Sequence, residues 1–591
     1  MSDLISFYSS KVELYNRQIE KTRKIIFWTA AGRLFSFILL ITFTYQYFNN
    51  NNILILALTL LSLIAFLFLI KKSNQLSEKR KLLEHLQFIN SNELNILQGF
   101  PNKFDNGQSL LSNESYYADL DVFGERSLFH LLNRTVTSHG TEALSKLLKQ
   151  PFTEAKTIVN YQEAIQVLAP QHNIHENIIS SALLNKDHHE SMSTIHDWLE
   201  EPAILITNKW LSITRYLLPV LNFFTLFIYL ISDNYFWLTL TVILSWIHIG
   251  SFSKYINRQH ALLGRKQEML DQYASILKEF TKVNTEQSVL LQQHLHTALQ
   301  AHLQVKKLSR LTNLLDQRLN FLVNILFNSF LLYDVQCMIS LEKWKVRNKQ
   351  YLKGWMDSVA TIECLVSLSK FAYNHPTFCF PVLQNNLMIE AEEIAHPLIP
   401  INERIPNNVS LGKTGKLLLI TGSNMSGKTT FLRTIGINTL LAQCGAPVCA
   451  TSFSFTPVHI YTSIRISDSL QDHTSYFMAE LKRLSEIKNN VADMKPSLIL
   501  IDEILRGTNS EDKYYGSAEF VKKLIQYNCL TLFATHDLKL SELENEYKGL
   551  IENYCFESII ENDELKFDYR ILKGVAQNKN ASFLMKKMNI I

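Results

Sequence analysis

The chain lacks any CxxC pair and any Cys/His cluster at zinc-ligand spacing. Its seven cysteines, Cys337, Cys364, Cys379, Cys444, Cys449, Cys529 and Cys555, are scattered and odd in number. That excludes a zinc module and a disulfide framework, and it fits reduced thiols in a cytosolic compartment. Charge of one sign is lacking too. With 58 basic and 54 acidic side chains the net charge is only +4, so any nucleic-acid surface has to be local. Charged residues make up 19% against 47% apolar, which excludes a disordered chain. Between Ser253 and Lys353 proline is absent and glycine nearly so. That stretch, rich in Leu, Gln, His and Lys, predicts long extended helices rather than a compact core. At 591 residues the chain exceeds what one hydrophobic core holds, so several domains are expected.

What is present in excess is apolar sequence, concentrated in four runs. Ile25 to Phe48 has only Arg33 and Gln46 as strongly polar residues, and Ile53 to Ile70 has no charge. Tyr216 to Ile231 and Tyr235 to Gly250 form a second pair, parted by Ser232, Asp233 and Asn234. Each run is close to the ~20 residues that cross a bilayer as a helix. Cations flank both pairs on one side only. Lys21, Arg23, Lys24, Lys71, Lys72, Lys79, Arg80 and Lys81 bracket the first; Lys209, Arg215, Lys254 and Arg258 bracket the second; neither turn carries a cation. The positive-inside bias then places the N-terminus, middle and C-terminus in the cytoplasm of a multi-pass inner-membrane protein. Arg33 has to snorkel back to the interface. No small-residue cleavage site follows the first run, so an uncleaved anchor is expected. A shorter run, Phe321 to Tyr333, is broken by Asn324 and Asn328 and is expected to be a core helix.

These features divide the chain. Residues 1–72 are expected to form a membrane hairpin, 73–211 the first part of a helical core, and 212–250 a second hairpin. Residues 251–383 are expected to supply long helices and the rest of the core, and 384–591 an α/β domain. Leu82, Leu83, Leu86 and Ile89 keep helical spacing, as does a run from Leu128 to Leu131 continuing through Leu144, Leu147 and Leu148. Pro151 ends that run, and Thr153 is the expected N-cap of the next helix. His294, His296 and His302 have no carboxylates at ligand spacing, and Lys343, Lys345, Arg347, Lys349 and Lys353 form a basic run; both sets are expected on solvated helix faces. After Pro381 short β-type runs alternate with helices, the pattern of a doubly wound domain.

The chemistry lies in that last domain. The apolar run Leu417 to Ile420 leads into Gly422-Ser423-Asn424-Met425-Ser426-Gly427-Lys428-Thr429-Thr430, and Phe431-Leu432 opens a helix. This is GxxxxGK[ST] between a strand and a helix. Glycines let backbone N–H groups turn onto phosphates, Lys428 reaches the outer phosphates, and the Thr429 hydroxyl ligates Mg²⁺. A second apolar run, Ser497 to Ile501, ends in Asp502-Glu503, where one acid holds Mg²⁺ and the next polarises the attacking water. A third, Leu530 to Thr535, delivers His536 to a strand's C-terminal end, where open α/β sheets gather ligands.

These residues resemble the MutS family of mismatch-repair ATPases. TGSNMSGKTTFLRT is similar to the family's phosphate loop, with its unusual Asn-Met. LIDEILRGTNSED is similar to its acidic strand and the turn that follows, and LFATHDLKLSEL to its TLFATH segment. SDSLQDHTSYFMAEL resembles the signature stretch, which implies that Ser475 is offered in trans to the γ-phosphate on a partner subunit. IAHPLIP (394–400) resembles the entry to the ATPase, and FDYRILKGVAQNKNASFLMKKM the closing dimerisation tail. LLNRTVTSHGTEALSKLLKQPF (131–152) resembles the opening of the helical core, and 358–374 the helix that returns from the clamp. The resemblance implies an ABC-type ATPase using ATP and Mg²⁺, homodimeric through the ATPase domain, and DNA as a partner. There are departures. No counterpart of the mismatch-reading domain with its Phe-x-Glu wedge is found, no clamp is identified, and Leu505 stands where the family has glycine.

The expected architecture is therefore multidomain: helical membrane hairpins and an all-α core, followed by a P-loop ATPase domain. Three functions fit it. One is a membrane-anchored, DNA-binding ATPase acting on mismatched or otherwise structured DNA. Another is an ABC-type transporter subunit, against which stand the missing LSGGQ-like stretch and the small number of spans. The last is a nucleotide-switched membrane scaffold.

Overall fold

The computed structural model describes residues 2–111, 116–184, 193–423, 425–465, 476–505, 509–561 and 564–577. Two very long helices open the chain, α1 (Ser2–Asn50) and α2 (Ile53–Leu97). Asn52 caps α2 by accepting from the Leu54 amide. Short helices follow: α3 (Tyr116–Asp119), α4 (Leu128–Leu132), α5 (Ser138–Lys149), α6 (Ala155–Leu168), α7 (His172–Leu184) and α8 (Ser193–Glu200). A second hairpin, α9 (Lys209–Ser232) and α10 (Phe236–Leu263), leads to α11 (Gln267–Phe280), α12 (Val289–Asp316), α13 (Phe321–Leu331) and the long α14 (Tyr333–Asn374).

α1 and α2 run unbroken through the expected boundary at 72. Their apolar halves lie side by side and outside any core, while their polar halves enter one: Tyr15 and Ile19 pack on Leu83 and Leu86. Four helices, α1, α2, α9 and α10, are long and apolar enough to cross a membrane. Their apolar windows have reversed polarity. Ser36, Ser62, Asn222, Thr225, Thr241 and Ser245 are buried, whereas Phe35, Leu61, Phe224 and Ile243 are exposed. In an aqueous protein that pattern would strand large apolar patches.

The helical core is organised by a buried ion pair. Arg134 donates to both oxygens of Glu93, at 2.5 and 2.9 Å. Asn374 donates to the same carboxylate at 2.7 Å and accepts from Tyr8 at 2.7 Å. α1, α2, the α4–α5 loop and the end of α14 thus meet at one point. Burial opposes the Glu93 charge, but Arg134, Lys370 and Asn374 hold its carboxyl below the usual range. A second carboxylate, Glu363, accepts from the Val136 and Thr137 amides and the Thr137 hydroxyl at the start of α5. A Cβ at Gly140 would overlap the Glu363 side chain, which makes that glycine a packing requirement.

Several expectations are corrected here. The Leu128–Leu148 run is split into α4 and α5 because Thr137 caps a new helix. α6 begins at Ala155, with Glu154 rather than Thr153 at the capping position. His294 is not solvated: it bonds Ser358 on α14 at 2.7 Å, and burial lowers its pKa to about 4. Lys345 leaves the basic run, donating to the carbonyls of Trp198 and Glu201 at 3.0 and 2.9 Å over the Trp198 ring. α13 is not a core helix; its large apolar side chains are exposed, and Asn328 and Ser329 are its buried residues.

The rest is α/β. Strands β1 (Val382–Leu383), β2 (Ile389–Ile394), β3 (Asn407–Leu411) and β5 (Ser452–Phe455) form a small sheet in the order β1-β5-β2-β3. The main sheet holds β4 (Leu417–Gly422), β6 (His459–Ser463), β7 (Ser497–Asp502), β8 (Cys529–Thr535), β9 (Ile551–Glu561) and β10 (Glu564–Lys573), in the order β10-β9-β4-β8-β7-β6. All its pairings are parallel except β9–β10. β4, β7 and β8 are buried along their whole length, which is why they read as continuous apolar runs. Helices α15 (Lys428–Gln443), α16 (Tyr476–Val491), α17 (Ser510–Leu524) and α18 (Leu543–Glu546) complete the domain.

Removing one partner of the buried pair leaves an uncompensated charge. Arg134→Met should therefore destabilise the helical core by about 3–5 kcal/mol. Arg134→Met combined with Glu93→Leu should cost less than the sum of the two single changes. The shift of the urea-unfolding midpoint in detergent measures both, and additive costs would refute the coupling.

Candidate functional site

The register of the main sheet assembles the site. Thr421 of β4 pairs with Thr535 of β8, and Asp502 of β7 pairs with Ala534 of β8. Gly422, His536 and Glu503 consequently leave the sheet at neighbouring levels of one edge. The loop after β4 folds back on itself. Gly427 adopts φ +105° as the residue capping α15, and a Cβ there would lie 3.1 Å from Tyr569. At Gly422 a Cβ would lie 2.8 Å from the Phe556 carbonyl oxygen and 2.9 Å from Ser426 Oγ. Space thus requires the first glycine of the GxxxxGK pattern, and the left-handed backbone favours the second.

Lys428 Nζ donates to the carbonyl oxygens of Gly422 and Ser423, both at 2.7 Å. Thr429 Oγ1 donates to Asp502 Oδ2 at 2.5 Å, joining the start of α15 to the end of β7. Ser426 Oγ is buried and has no hydrogen-bond partner among the described residues. Glu503 is ion-paired with Lys513 of α17 at 2.5 Å, and His536 Nε2 lies 3.8 Å from its other oxygen. Burial lowers the His536 pKa, the Lys428 cation adds to that and Glu503 opposes it. The ring is therefore neutral at pH 7, with an N–H to offer.

Ser426, Lys428, Thr429, Asp502, Glu503 and His536 all border one cavity of about 820 Å³. Met425, Ser426, Gly427, Lys428, Thr429, Thr430, Asp502, Glu503 and His536 line one end, and His396, Ile405, Asn407, Phe556 and Tyr569 the other. Its size suits a nucleotide-sized ligand. Met425, Glu503, Leu505 and Tyr569 all have left-handed backbones, with φ between +55° and +68°. Such conformations cost about 1–3 kcal/mol each and gather at functional sites. Asn424 and Ser475 lie outside the described residues.

Sequence reading missed the supports of this site. Asp119, from the helical core, accepts from Thr462 Oγ1 at 2.6 Å and from the amides of Ile464 and Arg465 at 3.2 and 2.8 Å. Asp121 binds Arg465 at 2.6 Å and Arg433 of α15 at 3.2 Å. These two acids grip the end of β6, ahead of the 466–475 segment. The buried Glu480 of α16 accepts from the Leu505 amide at 2.7 Å. Lys513, Asp119 and Asp121 belong to no quoted motif, although Tyr-Ala-Asp-Leu-Asp shows the acidic pair; Glu480 falls within the signature stretch, but nothing local in the sequence indicates its contact with Leu505.

The class that emerges is a helical protein whose last long helix hands over to a doubly wound α/β domain with a glycine-bounded loop leaving the central strand of its sheet. Sequence profiles specify the family. MutS domain III matches residues 91–369 and MutS domain V residues 418–588. The chain is 32% identical over 265 residues to DNA mismatch repair protein MutS of Clostridium kluyveri, which covers 43% of this chain and 29% of that protein. It is 35% identical over 226 residues to the MutS of Protochlamydia amoebophila, covering 37% of this chain and 26% of that protein. To DNA mismatch repair protein Msh3 of Mus musculus it is 30% identical over 244 residues, covering 37% and 22%. The chain belongs to the MutS family. It spans less than a third of the length of each of these relatives.

The leucine at 505 carries two opposing effects. Its φ of +58° is strained, but its side chain is buried against Gly516. Leu505→Gly relieves about 1–2 kcal/mol of backbone strain and forfeits about 2–5 kcal/mol of packing. The variant should be less stable by up to about 4 kcal/mol; a rise in thermal midpoint would show that strain outweighs packing.

Proposed function

We propose that this chain is a membrane-anchored, Mg²⁺-dependent ATPase whose nucleotide state governs its grip on mismatched or otherwise structured DNA. The convergence of Lys428, Thr429, Asp502, Glu503 and His536 on one cavity carries the nucleotide part. The residues fit a triphosphate: Ser426 Oγ is buried and unpartnered among the described residues, and a Cβ at Gly422 would clash with the Phe556 carbonyl oxygen. Lys428 exchanges the loop carbonyls for the outer phosphates. Thr429 and Asp502 would hold Mg²⁺, which neutralises phosphate charge when bound. Glu503, kept in place by Lys513, polarises the attacking water, and neutral His536 donates to the γ-phosphate. Ser475 is supplied by the partner subunit, so that a homodimer completes each site.

Anchoring rests on the four apolar helices and their inverted polarity, with the cation flanks placing the α/β domain in the cytoplasm. DNA as partner rests on relatives named as DNA mismatch repair proteins. A second reading, a nucleotide-switched membrane scaffold, is favoured by one observation: α12 and α14 meet at the apolar α13 and the second hairpin.

Full-length protein in detergent or nanodiscs should hydrolyse ATP, and Lys428→Ala should lower turnover by about 10²-fold or more. Unchanged turnover in that variant would overturn the site. Homoduplex, mismatched and branched DNA should differ in stimulating hydrolysis; no stimulation by any of them would favour the scaffold. Alkaline carbonate should leave the full-length protein in the membrane fraction, and its release into the supernatant would sink the anchor.

A further inference from the structure

The search for a use for α13 begins with its polarity. Phe321, Leu322 and Leu326 are 73%, 66% and 55% exposed, while Asn328 and Ser329 are 1% and 7% exposed. A surface helix in water has the opposite arrangement. The buried side of α13 docks on the second hairpin through polar contacts. Asn222 of α9 donates to the Ser329 carbonyl at 2.8 Å and to Ser245 of α10 at 2.9 Å. Trp246 Nε1 donates to Ser329 Oγ at 3.0 Å, and Phe223 packs on Phe330.

Those contacts fix a depth. Asn222 lies six residues beyond the start of the Tyr216–Ile231 run, and Ser245 five residues before the end of the Tyr235–Gly250 run. At 1.5 Å per residue both lie about 8 Å inside the apolar slab from its cationic side. One leaflet of hydrocarbon is about 15 Å thick, so Ser329 stands midway through the leaflet on that side.

Both ends of α13 return to that same side. Arg318, just before the helix, pairs with Asp334, just after it, at 2.9 Å. Asn320 caps the first turn by accepting from Leu322 and Val323. Asn328 Oδ1 accepts from the Asp334 amide at 2.9 Å and its Nδ2 donates to Asn324 at 2.6 Å. α14 then departs at 83°. These contacts tie both helix ends together within the chain, which lowers the cost of placing them near hydrocarbon; Asp334 Oδ1 and Asn222 Oδ1 are buried without a hydrogen-bond partner among the described residues.

We propose that α13 is a re-entrant helix, inserted into the cytoplasmic leaflet of the bilayer against α9 and α10, with Phe321, Leu322 and Leu326 facing lipid acyl chains. The hairpin thereby becomes a three-helix membrane unit without changing the side on which the chain emerges. This rests on the membrane reading above.

Full-length protein carrying Leu322→Cys, Leu326→Cys, Ile243→Cys or Leu303→Cys, labelled with an environment-sensitive NBD dye and reconstituted in phosphatidylcholine vesicles, tests it. The unsubstituted chain gives the labelling background. Ile243 reports the span, and Leu303, an equally exposed leucine on α12, reports water. Labels at 322 and 326 should lose emission to lipids brominated on the upper acyl chain and resist aqueous iodide, as the label at 243 does. If they follow iodide while 243 follows the bromolipid, α13 lies in water and the proposal falls with the anchor intact. Protection from both quenchers overturns it in favour of a protein partner. If 243 itself follows iodide, the membrane reading fails first.

Discussion

Everything chemical in this molecule depends on β4, β8 and β7 lying side by side in one parallel register. The chain leaves β4, passes to β6 at the far edge, and returns through β7 and β8 before β9 is added on the other side of β4. That reversal of strand order opens a crevice at the C-terminal end of β4. A slip of one residue in either pairing would turn Asp502 or His536 away from the loop. The strands are apolar on both faces and carry no alternation to pin them, so the register is held at their ends. Thr531 donates to the Lys416 carbonyl, and Thr429 ties the loop side to Asp502. The helical core adds its own grip through Asp119 and Asp121.

The same logic extends to the other end of the chain. α14 runs for 42 residues, about 63 Å at helical rise, from the apolar α13 to the first strand of the α/β domain. Its last turns carry Asn374 and the buried Lys370, whose pKa burial lowers to about 8. Asn374 binds Glu93 of α2 and Tyr8 of α1. One stiff rod therefore touches the second hairpin at one end, and both helices of the first hairpin together with the nucleotide domain at the other. Nothing between them is a flexible tether. A continuous packed route therefore joins that edge of the α/β domain to both apolar hairpins; coupling along it would further need an element with two discrete arrangements.

How much of this was legible differed by kind of interaction. The phosphate loop, the acidic strand and the histidine strand are local patterns, each a buried run ending in a chemical residue, and sequence locates them. The four long apolar helices are legible for the same reason. Contacts between residues far apart are not. Lys345 reads as one more cation in a basic run, yet it is buried on Trp198; His294 reads as solvated, yet it bonds Ser358. Both are decided by which face of a long helix meets a neighbour, and helices without strong amphipathic patterning do not announce that. Glu480 and Lys513, which hold Leu505 and Glu503, are missed for a similar reason: their partners lie 25 and 10 residues away. α13 was misread more fundamentally. Its shortness and its breaks at Asn324 and Asn328 read as a core helix, yet its large apolar side chains are exposed and those asparagines sit on its inner side.

That last point bears on DNA. Binding a duplex is driven largely by neutralising phosphates with Lys and Arg. The tip at which α12 and α14 converge presents Phe, Leu and Ile, and α13 contains no cation at all. A polyanion gains nothing there and would have to desolvate against hydrocarbon-like side chains. The cations of this region lie further along the two long helices, where Lys307, Lys343 and Arg347 line one groove between α12 and α14. If the chain engages DNA as proposed, contact with phosphates falls on these flanks, between the apolar tip and the nucleotide domain. On the proposed membrane reading the duplex would then lie close to the bilayer surface, at a site different in kind from one built at a polar helix tip.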